Sequence, residues 1–282
     1  MTSMPENARC GRISYTNVLP VYAAFDAGAR SFPGRLVRGV PAQLNRMLLG
    51  AELDCSPVSS IYYAAHPDDL RLLPGLCVAS QGAVLSVLCI SALPLERLAG
   101  QGVCVTAESA TGRALFDVLC RTRYGFAPRY IADEPDGKTY GHARVLIGDA
   151  AVEAAGRAPS EQVYDLGSMW RESTGHPMVY AVWAVRRRFA EEHPATVAQV
   201  NAALLDSLHW GIAHLDDEVV PRAQALLPRT AGFYADYYRK LNFSLDETAR
   251  AGLEAFYELA ERCGVLESRP ALAFLEEAYE RV

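Results

Sequence analysis

The sequence predicts an α/β protein of two domains with a ligand cleft between them. Three observations carry this. Strand, polar loop and helix alternate from the start of the chain as far as residue 185. Two long apolar runs, 83–91 and 178–185, bracket a middle block with the same alternation. From Arg186 onward only helical periodicity remains. The C-terminal helices need a surface to pack on, and the N-terminal sheet supplies it. The first domain is therefore expected to be discontinuous, 1–88 and 184–282, with the second, 89–183, inserted through two crossover strands. A chain of 282 residues, 50% apolar, has enough hydrophobic surface for this.

The opening unit sets the pattern. Ile13 and Tyr15 alternate with Arg12 and Ser14, as in a strand, and Thr16-Asn17 precede the helix-opening run Val18-Leu19-Pro20. A second strand is expected at 36–40, then a helix at 42–49 that starts at Pro41 and stops at Gly50. The strand 53–58 runs into Ser59-Ser60 and a helix at 61–65. Strands at 70–78 and 83–91 follow, then a short helix at 94–98. The strand 102–106 leads through Ser109, Thr111 and Gly112 into a helix at 113–119. A loop is expected at 133–138, a strand at 143–147 and a helix start at Gly148-Asp149. Residues 162–166 read as a short strand, 167–170 and 173–177 as irregular. Val197, Val200, Leu204, Leu208, Ile212 and Leu215 form one amphipathic stripe, and Ala249, Leu253, Phe256, Tyr257 and Ala260 form another, with Ser244 and Asp246 as available caps. Leu272 and Leu275 mark a last helix.

Composition excludes several function classes. The net charge is −6, the pI is near 5.6, and the only basic block is Arg186-Arg187-Arg188. Nucleic acid and anionic membranes are therefore not expected partners. The N-terminal residues have no cationic head or apolar core, so no secretory signal is expected, and no apolar run is long enough to span a bilayer. Seven cysteines occur without a CxxC pair and sit mostly inside apolar runs, which suits buried reduced thiols and points to the cytoplasm. HExxH, GxSxG, Walker and GxGxxG patterns are missing, so neither a metal nor a cofactor is expected.

Several strand ends carry polar residues at a helix start, the usual ligand edge of an α/β sheet. They are Asn17, Ser59 and Ser60, Ser109 and Thr111, and Asp149, with Ser86 inside the long strand. For the helix-start residues the alternative is a structural cap, for Ser86 a bond to backbone within a buried strand, and Asp149 either caps its helix or holds a ligand hydroxyl. Arg38 is either a cationic partner for an anion or an exposed structural arginine.

Taken together, certain segments are more specific. They are Tyr15-Thr16-Asn17-Val18-Leu19-Pro20, Gly39-Val40-Pro41-Ala42-Gln43-Leu44-Asn45, Pro57-Val58-Ser59-Ser60 and Leu73-Pro74. Gly82-Ala83-Val84-Leu85-Ser86-Val87, Leu146-Ile147-Gly148-Asp149 and Thr174-Gly175-His176-Pro177 continue the set. In this order they resemble the chorismate dehydratases of the futalosine route to menaquinone, a family with the type 2 periplasmic-binding-protein fold. Tyr62 and His176 depart from that pattern, where an acidic residue and leucine are usual. The resemblance implies loss of the ring hydroxyl of chorismate to give 3-(1-carboxyvinyloxy)benzoate, without metal or cofactor. For that reaction the residues themselves suggest a hypothesis: the substrate's own enolpyruvyl carboxylate is the base, Asn17 and Ser86 are the catalytic residues, and the polar rims with Ser59, Ser60, Ser109, Thr111 and Asp149, together with Arg38, bind the dicarboxylate. Two alternatives stay open: the sibling enzyme that makes 1,4-dihydroxy-6-naphthoate, and a non-catalytic small-anion-binding protein of the same fold.

Overall fold

The computed structural model describes residues 8–106, 108–131 and 141–275, and the expected loop at 133–138 lies outside the described residues. The chain opens with β1 (Ala8–Ile13), α1 (Leu19–Asp26), β2 (Gly34–Gly39), α2 (Pro41–Leu49), β3 (Cys55–Ser59), α3 (Ser60–Ala65) and β4 (Leu70–Ser80). It continues with β5 (Val87–Ser91), β6 (Gly102–Val105), α4 (Ala110–Leu119), β7 (Arg129–Ile131), β8 (Ala143–Ile147), α5 (Gly148–Ala155), β9 (Val163–Asp165) and α6 (Leu166–Thr174). β10 (Met178–Arg186) then leads to α7 (Arg187–Glu192), α8 (Pro194–Ala213), α9 (Val220–Leu226), α10 (Ala231–Lys240), β11 (Leu241–Asn242) and α11 (Glu247–Arg262).

Two mixed sheets result. The larger runs β11-β4-β10-β3-β1-β2, with β1 parallel to β2 and β3, and β10 antiparallel to β3 and β4. The smaller runs β7-β6-β8-β5-β9, with β6 parallel to β7 and β8. β10 lies in the larger sheet along its whole length and β5 wholly in the smaller. The chain therefore passes between the sheets at 81–86 and 175–177, and residues 87–88 and 178–183 fall on the other side of the boundaries suggested by sequence. The run 83–91 continues across the first crossing, so hydrophobicity alone does not mark it, whereas the second crossing is the exposed turn Gly175-His176 ahead of the run 178–185.

Other expectations shift for physical reasons. Residues 83–86 form a bend rather than strand, with Leu85 at φ 61°. Leu166, expected to end a strand, and 167–170 and 173–174, expected to be irregular, belong to α6: Asp165 accepts the Ser168 N–H as its cap, and Leu166, Met169 and Trp170 form the buried face. Residues 271–275 are not helical, and Phe274 bridges Leu72 in parallel instead. Of the first stripe, Val197, Val200, Leu204 and Leu208 are buried in α8, whereas Ile212 is exposed. The second stripe is entirely buried in α11, capped by Asp246, which accepts the Ala249 N–H at 2.8 Å.

All seven cysteines are free and six are buried. Burial pushes Cys120 up to about 12 and Cys77 and Cys89 further above the ordinary thiol value, so these thiols are poor nucleophiles. Among the described residues no group of acidic, histidine or cysteine side chains could hold a metal, and no helix is long and apolar enough to cross a membrane.

Candidate active site

The parallel strands β1, β3, β6 and β8 all deliver their carboxyl ends toward the gap between the sheets, and helical turns begin there. A small cavity of about 60 Å3 opens at this point. Its wall takes Ile13, Tyr15 and Asn17 from the end of β1, Ser59 from β3, Thr111 and Gly112 from the first turn of α4, and Ile147 and Gly148 from the start of α5. Amino ends of helices from both domains therefore rim one space. None is capped by the side chain of the residue before it, although the Thr111 hydroxyl accepts the Ile61 N–H in the first turn of α3 and the Ser86 carbonyl accepts the Gly148 N–H at the start of α5. Ser59 before α3 and Ser109 before α4 make no side-chain cap bond, and α1 and α5 start without one as well. Free helix N–H groups attract anions, since the aligned peptide dipoles leave partial positive charge there.

Asn17 sits on the 3-10 turn Thr16–Val18, and its Oδ1 is buried with no hydrogen-bond partner among the described residues. A buried amide oxygen left unpaired costs about 1–3 kcal/mol, and Asn17 is a residue of the cavity wall, so it is a candidate ligand contact. Ser86 also lines the cavity, and its hydroxyl donates to the Val84 carbonyl at 3.3 Å, a long bond that a better acceptor can replace. Gly148 has φ 60°, and a Cβ there would come within 2.7 Å of the Tyr15 ring, so only glycine lets the two domains approach at this point.

The remaining expected residues divide. Ser59 and Thr111 line the cavity. Ser60 lies behind it: its hydroxyl donates to the Val179 carbonyl at 2.8 Å and stands 3.3 Å from the Thr111 hydroxyl, which accepts the Ile61 N–H. Asp149 is turned away from the cavity. It accepts the Thr16 N–H at 3.1 Å and the Thr16 hydroxyl at 2.6 Å, so it ties the second domain to the first. Burial pushes the Asp149 carboxyl up, and the two bonds from Thr16 only partly offset this. Ser109 is buried beside a separate groove with Arg113, Asp117 and Arg121. Arg38 is not in the cavity wall: its side chain is 67% exposed and lies 3.7 Å from Asp26, which also binds the buried Arg12. Tyr62 donates to the Asn45 carbonyl and His176 is exposed, so neither departure from the family pattern touches the cavity.

Sequence reasoning missed Tyr15, Glu108 and Tyr180. Tyr15 is pushed up to about 12 by burial and by the nearby Glu108 and Asp149. Tyr180 shares a 2.9 Å hydrogen bond with the Ser80 hydroxyl. Glu108 is the one carboxylate in the cavity wall among the described residues, and no lysine, arginine or histidine accompanies it.

Residues 8–262 match a family described as menaquinone biosynthesis. The chain belongs to this menaquinone-biosynthesis family. It is 34% identical over 263 residues to the chorismate dehydratase of Thermus thermophilus, covering 86% of this chain and 92% of that protein. Solved structures agree on the fold. A protein from Archaeoglobus fulgidus superposes with TM-score 0.72 at 18% identity, covering 92% of this chain and 98% of that one. A Candida albicans protein described as having the generic periplasmic-binding-protein fold gives 0.70 at 10% identity, covering 98% and 99%. The periplasmic aliphatic sulphonate binding protein of Escherichia coli gives 0.65 at 13% identity, covering 99% and 96%. This menaquinone-biosynthesis member thus has the two-domain type 2 periplasmic-binding-protein fold, with its cavity where the two domains meet.

Proposed function

We propose that this chain is a chorismate dehydratase, a hydro-lyase that converts chorismate to 3-(1-carboxyvinyloxy)benzoate for menaquinone biosynthesis in the cytoplasm. The carrying observation is Asn17, a residue of the cavity wall whose Oδ1 has no partner among the described residues, beside the uncapped amino end of α4 and with no cationic side chain in the wall among those residues. The relationship to the Thermus thermophilus chorismate dehydratase favours this reaction over the sibling reaction that makes 1,4-dihydroxy-6-naphthoate.

The chemistry suits these donors. Chorismate carries two carboxylates, and each charge-assisted hydrogen bond contributes about 1.5–3 kcal/mol. Ser59, Thr111 and the N–H groups at the start of α4 would receive them. The ring C–H on the carbon bearing the enol ether is removed, hydroxide leaves the neighbouring carbon, and the new double bond closes an aromatic ring. Aromatisation supplies most of the driving force, so modest catalysis suffices. The Asn17 Oδ1 would accept the ring O–H and fix its oxygen, while the Ser86 hydroxyl swings from Val84 to donate to the departing oxygen. The enolpyruvyl carboxylate, tethered beside the ring, is the base.

Glu108 favours a second reading, in which a protein carboxylate takes the proton. Glu108→Gln separates the two. Substrate assistance predicts that the variant keeps most turnover, because a repelling charge is removed. A protein base predicts a loss of roughly a hundredfold or more. The reaction itself is tested by mass spectrometry of chorismate incubated with the purified protein. Loss of one water supports the assignment, and unchanged chorismate from a folded protein overturns it.

A further inference from the structure

The bend that carries Ser86 is held by one side chain. Asp165, at the end of β9, accepts the Val84 N–H at 3.0 Å and the Leu85 N–H at 2.8 Å on Oδ2. Its Oδ1 accepts the Ser168 N–H at 3.0 Å and lies 3.2 Å from the Val84 nitrogen. Capping α6 needs only one of these oxygens, so the second is left to the bend. Leu85 sits at φ 61°, in the left-handed region that a leucine rarely enters. Such a backbone persists only where its surroundings hold it. Ser86 follows directly, with its hydroxyl at the cavity and its carbonyl accepting the Gly148 N–H at 2.8 Å. The bend is thus fixed from both sides: Asp165 holds the amides before Ser86, and α5 holds its carbonyl.

We propose that Asp165 is a positioning residue for the reaction: by clamping the Val84 and Leu85 amides it holds the left-handed bend that aims Ser86 into the cavity. This inference rests on the dehydratase reading above. Asp165 touches no substrate, and its effect passes through the Ser86 hydroxyl.

Asp165→Ser separates the two roles of this side chain, because serine still caps α6 but is too short to clamp the bend. In the variant, kcat for chorismate should fall roughly ten- to a hundredfold while KM stays within about threefold, as expected when a group acting in the transition state is misplaced. Leu85→Gly in the Asp165→Ser background should recover roughly threefold or more in kcat, since glycine takes the left-handed conformation without penalty. Amide exchange at Val84 and Leu85 should accelerate in Asp165→Ser while Ser168 stays protected. If the serine variant does not fold, Asp165→Asn replaces it. A kcat within about twofold of wild type, or a loss appearing only in KM, overturns the proposal. Wild-type protein inert on chorismate would defeat the dehydratase reading, and the exchange data would still decide the clamp. Faster exchange at Val84 and Leu85 supports it, and unchanged exchange refutes it.

Discussion

Asn17→Ala separates catalysis from folding in one substitution. The Asn17 Oδ1 is buried with no partner among the described residues. Truncation removes an oxygen whose desolvation is uncompensated, which offsets the small hole left behind. The free energy of unfolding should therefore change by no more than about 1 kcal/mol in either direction. Turnover should behave differently. Without Asn17 the ring O–H that its Oδ1 fixes becomes a buried donor left unsatisfied, which costs about 1–3 kcal/mol, or roughly a 5- to 150-fold loss in kcat. The assay is initial-rate chromatography of product alongside urea unfolding of both proteins. Turnover within about threefold of wild type would refute the role given to Asn17. So would a drop in stability large enough to leave the variant unfolded under assay conditions.

Three further substitutions test how the fold presents the cavity. Asp54 is almost fully buried and accepts from the Arg9 N–H, the Arg9 guanidinium and the Arg186 guanidinium; burial alone would raise its carboxyl, but these bonds outweigh it and hold it below the ordinary value. Its contribution is therefore complete above about pH 4 and disappears as pH falls through its folded pKa, so Asp54→Asn should cost about 2–3 kcal/mol at pH 7 and flatten the acid limb of a melting-temperature profile. Asp149 has the opposite sign, because burial raises it and the folded protein holds its proton more tightly than the unfolded chain does. Its contribution falls as pH rises from about 4 through its folded value, so wild type should lose stability relative to Asp149→Asn over that window in paired thermal melts. Gly148→Ala forces a Cβ to within 2.7 Å of the Tyr15 ring at φ 60°, and should cost about 1–2 kcal/mol from the backbone alone, with a raised KM as the cavity wall shifts.

The sequence made the element pattern legible and left the aim of individual side chains open. The strand-to-helix edges at Asn17, Ser59, Thr111 and Gly148 were readable because each combines an apolar run, a polar or small residue and a helix start. Which way a residue turns at such an edge depends on tertiary partners. Asp149 is engaged by Thr16, 133 residues away, and Arg38 lies beside Asp26. Ser109 turns toward another groove only two residues from Thr111, which faces the cavity. Glu108 reads as an ordinary loop carboxylate, and Tyr180 hides within an apolar strand. The helix α6 was obscured by Gly167, Ser168 and a polar second half, although Leu166, Met169 and Trp170 carry its period. The bend at Leu85 has no local signal, since leucine is a residue that avoids that conformation and the clamp comes from Asp165.

The central claim is that neutral donors at the junction of two domains dehydrate chorismate while its enol ether survives. Proton NMR of chorismate mixed with chelator-treated protein tests it most directly. The account predicts that ring signals move to those of a 1,3-disubstituted benzoate while both vinyl protons of the enolpyruvyl group remain. Unchanged chorismate, or vinyl signals replaced by pyruvate, would contradict it.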